Sequence, residues 1–160
     1  IIPITEQFSE MGVSVRFIEY MDVGGTKNWN PEQVVFGEEI RTIIATRFGR
    51  LKPLKQQKYG EVANRWSLSN GYEIGFIESI SKPFCQSCTR ARISANGKLY
   101  TCLFSEHGHD LKSLITMGAD VKDLRDAVIA LWRIRDDRYS ELRTVQQVVT
   151  KPVEMHFIGG

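Results

Sequence analysis

Long apolar runs are missing from this sequence of 160 residues. No stretch approaches the roughly 18–20 apolar residues that span a bilayer, and the start lacks the basic and apolar segments of a secretory signal. The net charge of +2 is too small to make nucleic acid or a membrane surface the main partner. These absences argue against a membrane protein and against a nucleic-acid-binding protein.

Cysteine is also scarce, with only Cys85, Cys88 and Cys102 in the chain. A secreted disulfide framework normally uses an even number of cysteines, so an odd count argues against one. Three cysteines packed into 18 residues are more typical of a metal or cluster site in a reducing compartment. We therefore expect a cytoplasmic protein whose cysteines are ligands.

An initiator methionine is absent as well, because the sequence begins at Ile1. Residues 5–11 have apolar side chains at helical spacing and stop at Gly12, a residue typical of helix ends. Residues 13–20 alternate as in a strand. Helix, glycine and strand in this order are typical of an α/β unit. We expect residues 1–35 to be the end of an incomplete TIM-type barrel in a longer protein.

Residues 36–160 are predicted to form a second region of mixed structure. A helix is predicted over 36–48, which has one apolar face, acidic residues near its start and an arginine near its end. Turn residues indicate two hairpins, and two aspartates can cap short helices. The predicted strand pairs are 62–68 with 72–80 and 90–94 with 98–104, and the capping residues are Asp110 and Asp120. The fold class is α/β to α+β, with antiparallel hairpins and short helices in this C-terminal region.

The Asn96-Gly97 turn suggests how the three cysteines converge. Two residues separate Cys85 from Cys88, so both thiolates can reach one metal centre. A tight turn folds the strand that carries Cys102 back toward Cys88. Soft thiolates select either zinc or an iron–sulfur cluster.

The fourth ligand distinguishes these two alternatives. Structural zinc takes four protein ligands, and His107 or His109 is close enough in sequence to complete a Cys3His site. A four-iron cluster held by three thiolates instead leaves one iron open to a substrate. The spacing of the cysteines is compatible with both alternatives.

Two arginines directly follow the second cysteine. Arg90 and Arg92 would share a face of an extended strand, since residues i and i+2 point the same way. Guanidinium groups form planar, charge-assisted hydrogen bonds with phosphate oxygens. The pair therefore favours an anionic substrate beside the cluster, although two arginines can also simply solvate a strand.

With these residues in view, the sequence resembles the GTP 3′,8-cyclases, the molybdenum cofactor biosynthesis protein A family. Residues 83–92 (PFCQSCTRAR) and 95–104 (ANGKLYTCLF) resemble the C-terminal cluster motif of that family. The resemblance extends in order over essentially the whole chain. Further agreement lies in residues 16–22 (RFIEYMD), residues 60–66 (GEVANRW) and the terminal Gly159-Gly160.

The resemblance implies a radical-SAM lyase with an incomplete α/β barrel and two 4Fe-4S clusters. In that family the N-terminal cluster cleaves S-adenosylmethionine, and the resulting radical abstracts the 3′ hydrogen of GTP. Bonding of C3′ to C8 gives (8S)-3′,8-cyclo-7,8-dihydroguanosine 5′-triphosphate in the first step of molybdenum cofactor (molybdopterin) biosynthesis. The product passes to cyclic pyranopterin monophosphate synthase. A cytoplasmic bacterial or archaeal enzyme is implied, and a homodimer is left open.

The resemblance implies a role for each position of this chain that matches the motif of the family. Three thiolates would hold the second 4Fe-4S cluster, whose open iron binds the guanine. The strand that follows would bind GTP, with its two arginines on the phosphates. The implied cluster ligands are Cys85, Cys88 and Cys102, and the implied GTP-binding residues are Arg90, Ala91 and Arg92.

The resemblance also implies roles near both ends of the chain. Met21 would contact S-adenosylmethionine at the strand end before the Gly24-Gly25 loop, and Arg16 on the same strand would face the pocket. Gly159 and Gly160 would form a tail that reaches into the active site, since backbone without side chains can approach a ligand closely.

One departure from the family pattern affects the expected activity. The 160 residues contain no C-x3-C-x2-C motif, which is the motif that holds the radical-generating cluster. We therefore expect this fragment to be inactive as a cyclase by itself. The alternative function is a Cys3His zinc-stapled binding module without catalysis.

Overall fold

The computed structural model describes residues 1–23, 29–142 and 153–158. The chain divides into two units: the first contains residues 1–21 and 29–88, and the second contains the described residues of 22–28 and 89–160. None of the helices in these residues combines the length and the apolar character that crossing a bilayer requires.

Two helices and one strand open the first unit: α1 (Ile2–Glu10), β1 (Val15–Ile18) and α2 (Gly37–Phe48), with a 3-10 helix at Pro31–Gln33 before α2. The chain leaves α1 through Gly12, which has φ +68°, a left-handed conformation that glycine adopts without strain. In α2, acidic residues occupy the first turn and Arg47 the last, which complements the helix dipole. Both helices were predicted.

Three further strands complete the first unit: β2 (Lys52–Pro53), β3 (Asn64–Ser67) and β4 (Glu73–Ile77). The sheet order is β1-β4-β3-β2. β3 and β4 form the predicted antiparallel hairpin, and Gly71 in its turn has φ +84°. β3 and β4 are shorter than the strand-like runs over 62–68 and 72–80 that predicted them.

The pairing of β1 with β4 is parallel, and the sequence did not predict it. Val15 lies opposite Ile74, and Ile18 lies opposite Ile77. The two strands are far apart in sequence, so no local pattern connects them. Parallel pairing places the carboxyl ends of β1 and β4 at the same edge of the sheet.

The core of the first unit lies between α2 and one face of this sheet. It is built from apolar side chains that helical and strand periodicity bring to facing surfaces. Phe17 and Phe76 stack with their ring centroids 6.1 Å apart, and Ile44, Ile74 and Phe76 are completely buried. The buried residues of this core cluster are Ile40, Ile44, Leu51, Leu68, Ile74 and Phe76.

The second unit contains a small antiparallel sheet and short helices. Its strands are β5 (Arg92–Ile93), β6 (Lys98–Tyr100) and β7 (His109–Asp110), in the order β5-β6-β7. Its helices are α3 (Lys112–Thr116), α4 (Val121–Arg133) and α5 (Tyr139–Leu142), followed by a 3-10 helix at Met155–Ile158. Asp120 caps α4 through a reciprocal capping box with Asp123, as its side chain predicted.

The predicted mixture of α and β structure with antiparallel hairpins and short helices is confirmed. Asp110 accepts hydrogen bonds from the backbone and hydroxyl of Ser113 near the start of α3, close to its predicted capping role. The assignment of residues 1–35 to the end of a barrel, with a second region over 36–160, stays a prediction.

Candidate functional site

The first two cysteines of the predicted ligand set lie in a tight turn of the first unit. Cys85–Ser87 form a single 3-10 turn, in which the Cys88 amide donates to the Cys85 carbonyl at 3.2 Å. Residues three apart come close together in such a turn. The C-x2-C spacing therefore brings the backbones of Cys85 and Cys88 together, and both residues are half-buried.

The third cysteine follows β6 in the second unit. Cys102 is half-buried and lies two residues beyond the end of the strand at Tyr100. The Phe104 amide donates to its Sγ at 3.5 Å, and Phe104 stacks on Tyr139 with ring centroids 4.1 Å apart. A backbone N–H directed at sulfur stabilises a thiolate, and hydrogen bonds of this kind tune iron–sulfur clusters.

The structure thus assigns Cys85 and Cys88 to one unit and Cys102 to the other. All three are thiols outside any disulfide. Within the described residues, no set of three or more His, Cys, Asp or Glu side chains is arranged to hold a metal ion. The convergence of the three thiolates stays a prediction, as does the Cys3His alternative, whose candidates His107 and His109 are both exposed.

The predicted GTP-binding residues lie at the start of the second unit. Arg92 is the first residue of β5 and pairs with Tyr100, whereas Arg90 and Ala91 precede the strand and are exposed. The strand is therefore shorter than the 90–94 run predicted for it. The phosphate role of these residues stays a prediction.

The predicted S-adenosylmethionine contact, Met21, is half-buried after the end of β1. Arg16 is an exposed residue of β1 and lies opposite Gly75. A Cβ built on Gly75 would meet the Arg16 Cγ at 3.2 Å, so the missing side chain gives Arg16 room to lie across the sheet. Gly24 and Gly25, and the tail residues Gly159 and Gly160, lie outside the described residues.

A buried carboxylate that the sequence analysis missed lies at the end of β1. Glu19 is 2% exposed and accepts four hydrogen bonds. Its Oε1 accepts from the Gly37 amide at 3.0 Å and the Ser81 hydroxyl at 2.6 Å, and its Oε2 accepts from the Ile80 and Ser81 amides, both at 2.8 Å. Glu19 thus joins the end of β1 to the start of α2 and to the segment that follows β4.

A second buried carboxylate, Glu78, follows β4 directly and is also 2% exposed. It accepts from Asn64 Nδ2 at 2.7 Å and from Arg41 Nη1 at 3.0 Å, and it forms an ion pair with Lys82 Nζ at 3.3 Å. Burial alone would raise the pKa of Glu78, but hydrogen bonds from Asn64 and Arg41 and the nearby cations outweigh it. The pKa of Glu78 is therefore held below its usual value of 4.5.

This lowered pKa predicts a pH-dependent contribution to stability. Because the folded-state pKa lies below the unfolded one, the ionised carboxylate stabilises the fold above pH 4.5, and the contribution is lost as the pH falls through the folded-state value. We expect Glu78→Gln to cost about 1–3 kcal/mol at neutral pH, because it leaves buried donors poorly satisfied. Thermal melts of both proteins from neutral to acid pH should show the difference shrinking below pH 4.5, whereas a constant difference would contradict the ionic role.

The sequence carried one usable signal for both carboxylates. Each glutamate follows an apolar strand run without a break, in RFIE for Glu19 and in IGFIE for Glu78. The ends of parallel strands meet at one sheet edge, where sites of α/β folds are built. That signal has meaning only once the parallel pairing of β1 and β4 is known.

Residues 13–141 match the sequence profile of the family described as Molybdenum Cofactor Synthesis C. This match covers most of the chain, including every cysteine and both arginines. The chain belongs to this family. Within the Molybdenum Cofactor Synthesis C region lie both buried carboxylates, Met21 and the two hairpins.

Full-length relatives extend the comparison. A protein named GTP 3′,8-cyclase from Xanthomonas campestris pv. campestris (strain B100) is 45% identical over 161 residues, covering 100% of this chain and 47% of the relative. A protein of the same name from Staphylococcus aureus (strain JH9) is 42% identical over 165 residues, covering 100% of this chain and 48% of the relative. The chain therefore spans about half the length of the curated relatives it matches, and the predicted resemblance to the C-terminal part of GTP 3′,8-cyclases is confirmed.

Proposed function

We propose that this chain is the C-terminal part of a GTP 3′,8-cyclase, the lyase of the first step of molybdenum cofactor biosynthesis, and that it binds a 4Fe-4S cluster and GTP. The observation that carries the proposal is the 42–45% identity, over the whole chain, with proteins named GTP 3′,8-cyclase. The alignments with these relatives include the region of the cysteines, since they cover 100% of this chain.

The donor chemistry of the chain fits such a cluster. Soft thiolates are the ligands that iron–sulfur clusters take from proteins, and the chain has three half-buried thiols outside any disulfide. The turn at Cys85–Ser87 suits two ligands of one centre, and the Phe104 amide supplies a hydrogen bond to Cys102. Cys85, Cys88 and Cys102 would hold the cluster.

When bound, a four-iron cluster with three protein thiolates offers one iron as a Lewis acid for the guanine base of GTP. The chain's own residues would fix the rest of the nucleotide. Arg90 and Arg92 present guanidinium groups, which match phosphate oxygens in geometry and charge. Ala91 between them would let the phosphates approach the backbone closely. The nucleotide would then be held at both ends, which restricts how its ribose is presented.

In the full-length protein we propose that GTP is converted to (8S)-3′,8-cyclo-7,8-dihydroguanosine 5′-triphosphate, with S-adenosylmethionine and a second 4Fe-4S cluster as cofactors. Met21 would contact S-adenosylmethionine, and Gly159 and Gly160 would approach the active site. The product would be consumed by cyclic pyranopterin monophosphate synthase.

The phosphate role of the arginines predicts a specific loss of GTP affinity. We expect Arg90→Ala and Arg92→Ala each to raise the Kd for GTP about tenfold or more, because a hydrogen bond to a charged group contributes about 1.5–3 kcal/mol. Guanosine lacks the phosphates, so its Kd should stay the same in both variants. Anaerobic calorimetric titration of the cluster-loaded chain with each ligand measures both values.

Arg125→Ala is the matched control for these titrations. Arg125 is an arginine of α4, so its replacement changes the net charge by the same amount as the Arg90 and Arg92 variants do. Its side chain is 67% exposed. Its loss should leave GTP affinity unchanged. Unchanged GTP affinity in the Arg90 and Arg92 variants, or an equal loss for guanosine, would overturn the phosphate assignment.

A further inference from the structure

The segment leading to the first two cysteines begins at a defined edge of the first unit. Because Ile18 pairs with Ile77 in the parallel β1–β4 ladder, the next residues, Glu19 and Glu78, come side by side at the carboxyl edge of the sheet. The Glu19 amide donates to the Ile77 carbonyl at 3.1 Å, which extends the pairing by one step. From this edge β1 continues toward Met21, and β4 continues toward Cys85.

Glu19 holds the first part of the segment after β4. Three of its four hydrogen bonds come from that segment: the Ile80 amide, the Ser81 amide and the Ser81 hydroxyl, at 2.8, 2.8 and 2.6 Å. The fourth comes from the Gly37 amide at the first turn of α2, where the helix dipole also favours a negative charge. Hydrogen bonds to an ionised group are the strong ones, so this buried carboxylate fixes residues 80 and 81 rigidly.

Glu78 holds the next residue of the same segment. The Lys82 amide donates to the Glu78 carbonyl at 2.9 Å, and Lys82 Nζ pairs with Glu78 Oε1 at 3.3 Å. A Cβ built on Gly37 would lie 2.7 Å from the Glu78 Cγ, so a glycine at this position lets both carboxylates pack against the start of α2. Only Pro83 and Phe84 separate this held segment from Cys85.

We infer that Glu19 is a positioning residue for the cluster ligands, an inference that rests on the proposed function. Its carboxylate fixes where residues 80–81 leave the sheet, and thereby where the Cys85–Ser87 turn presents the thiolates of Cys85 and Cys88. Groups that hold metal ligands in place contribute to metal affinity without touching the metal. The same side chain follows β1 directly, so it also ties the cysteine segment to the strand that leads to Met21.

The chemistry of the four donors makes both oxygens of Glu19 necessary as acceptors. Every partner is an N–H or O–H group that donates, so all four bonds need acceptor oxygens. Glu19→Gln keeps the shape but replaces one oxygen by an NH₂ group, which would face donors instead of accepting from them. The segment over residues 80–81 would lose its fixed position, whereas the apolar core, built from other residues, would remain.

The test is the resistance of the cluster to an iron chelator. The 160-residue chain and its Glu19→Gln variant are loaded anaerobically with iron and sulfide, and bound iron and cluster absorbance are followed against increasing chelator. We expect the concentration that removes half the iron to fall about tenfold in Glu19→Gln, the lower end of the effect of supporting residues on metal affinity. Near-UV circular dichroism should show an unchanged fold.

Two control variants separate positioning from general destabilisation. Glu73→Gln makes the same chemical change at the other end of β4, where Glu73 accepts from Arg65 at 2.8 Å, far from the cysteine segment. Ile44→Val trims the completely buried core residue Ile44 and costs about 0.5–1.5 kcal/mol. Both should retain wild-type chelator resistance.

Ser81→Ala, which removes only the hydroxyl that donates to Glu19, is a second test of the positioning role. It should show a smaller loss in the same direction, and it replaces Glu19→Gln if that variant does not fold.

The outcomes distinguish the inference from the function on which it rests. Lower chelator resistance in the Glu19 and Ser81 variants, with both controls unchanged, supports the positioning role. Wild-type resistance in these variants, or an equal loss in Ile44→Val, overturns it while leaving the proposed function intact. A wild-type chain that takes up no iron and sulfide contradicts the proposed function and the inference together.

Discussion

Replacement of any one of Cys85, Cys88 and Cys102 by serine is expected to abolish cluster binding. An anaerobically reconstituted wild-type chain should hold about four irons with matching sulfide, and each variant close to none. The physical reason is that a serine hydroxyl is a hard, weakly acidic ligand, whereas iron–sulfur clusters take soft thiolates. With three cysteines in the sequence, the loss of one leaves two protein thiolates to hold the four-iron cluster. Iron and sulfide analysis together with the cluster absorbance measures the effect.

Ser87→Ala is the matched control for the cysteine variants. Ser87 lies in the same 3-10 turn, and its hydroxyl donates to the Phe84 carbonyl at a long 3.4 Å, so the variant should load fully. A serine variant that keeps four irons would remove that cysteine from the ligand set. One colourless zinc per chain, lost on removal of His107 or His109, would instead identify the Cys3His module.

Truncation of Phe76 to alanine is expected to produce the largest loss of stability in the first unit. Phe76 is completely buried, stacks on Phe17 and belongs to the core cluster with Ile40 and Ile44. Phe→Ala at such a site removes buried apolar surface and leaves a cavity, at a cost of about 3–5 kcal/mol. That is a large part of the 5–15 kcal/mol typical of a whole domain. Equilibrium urea unfolding measures the change.

Tyr59→Ala is the control for this truncation. Tyr59 is 79% exposed, so the substitution removes an aromatic side chain of similar size from the surface. Its effect should stay within about 0.5 kcal/mol. Since the chain has two units, unfolding can occur in two transitions, and the loss in Phe76→Ala is expected in the transition of the first unit. A cost below about 1 kcal/mol would contradict the central position of Phe76 in the core.

Prediction from the sequence was most accurate for helix ends, turns and caps, which depend on residues close together in the chain. Gly12 and Gly71 mark the end of α1 and the turn of the β3–β4 hairpin, because each has a positive φ that other residues rarely adopt. Asp120 caps α4 through the amide of Asp123 at 2.8 Å, three residues away. The 3-10 turn at Cys85–Ser87 is likewise local, so the C-x2-C spacing already indicated that these two cysteines lie close together.

Prediction was weaker for strand lengths and for long-range pairing. The predicted strands over 62–68 and 90–94 extend beyond β3 and β5, because a strand persists only where a partner strand accepts its hydrogen bonds. β1 and β4 were both predicted as strands, but their parallel pairing was not. Hairpin signals identify only antiparallel partners that are close in sequence.

The sequence by itself determined which family the chain resembles, which residues are candidate ligands, and where α2, α4 and the hairpin turns lie, because these depend on residue identity and short-range spacing. Only the tertiary structure decided that β1 and β4 pair in parallel and that Glu19 accepts from Ile80, which is 61 residues away. In the sequence Glu19 is an ordinary charged residue after an apolar run. It becomes a buried acceptor because two distant strands end at the same edge, and only a fold that brings them together supplies four donors to one carboxylate.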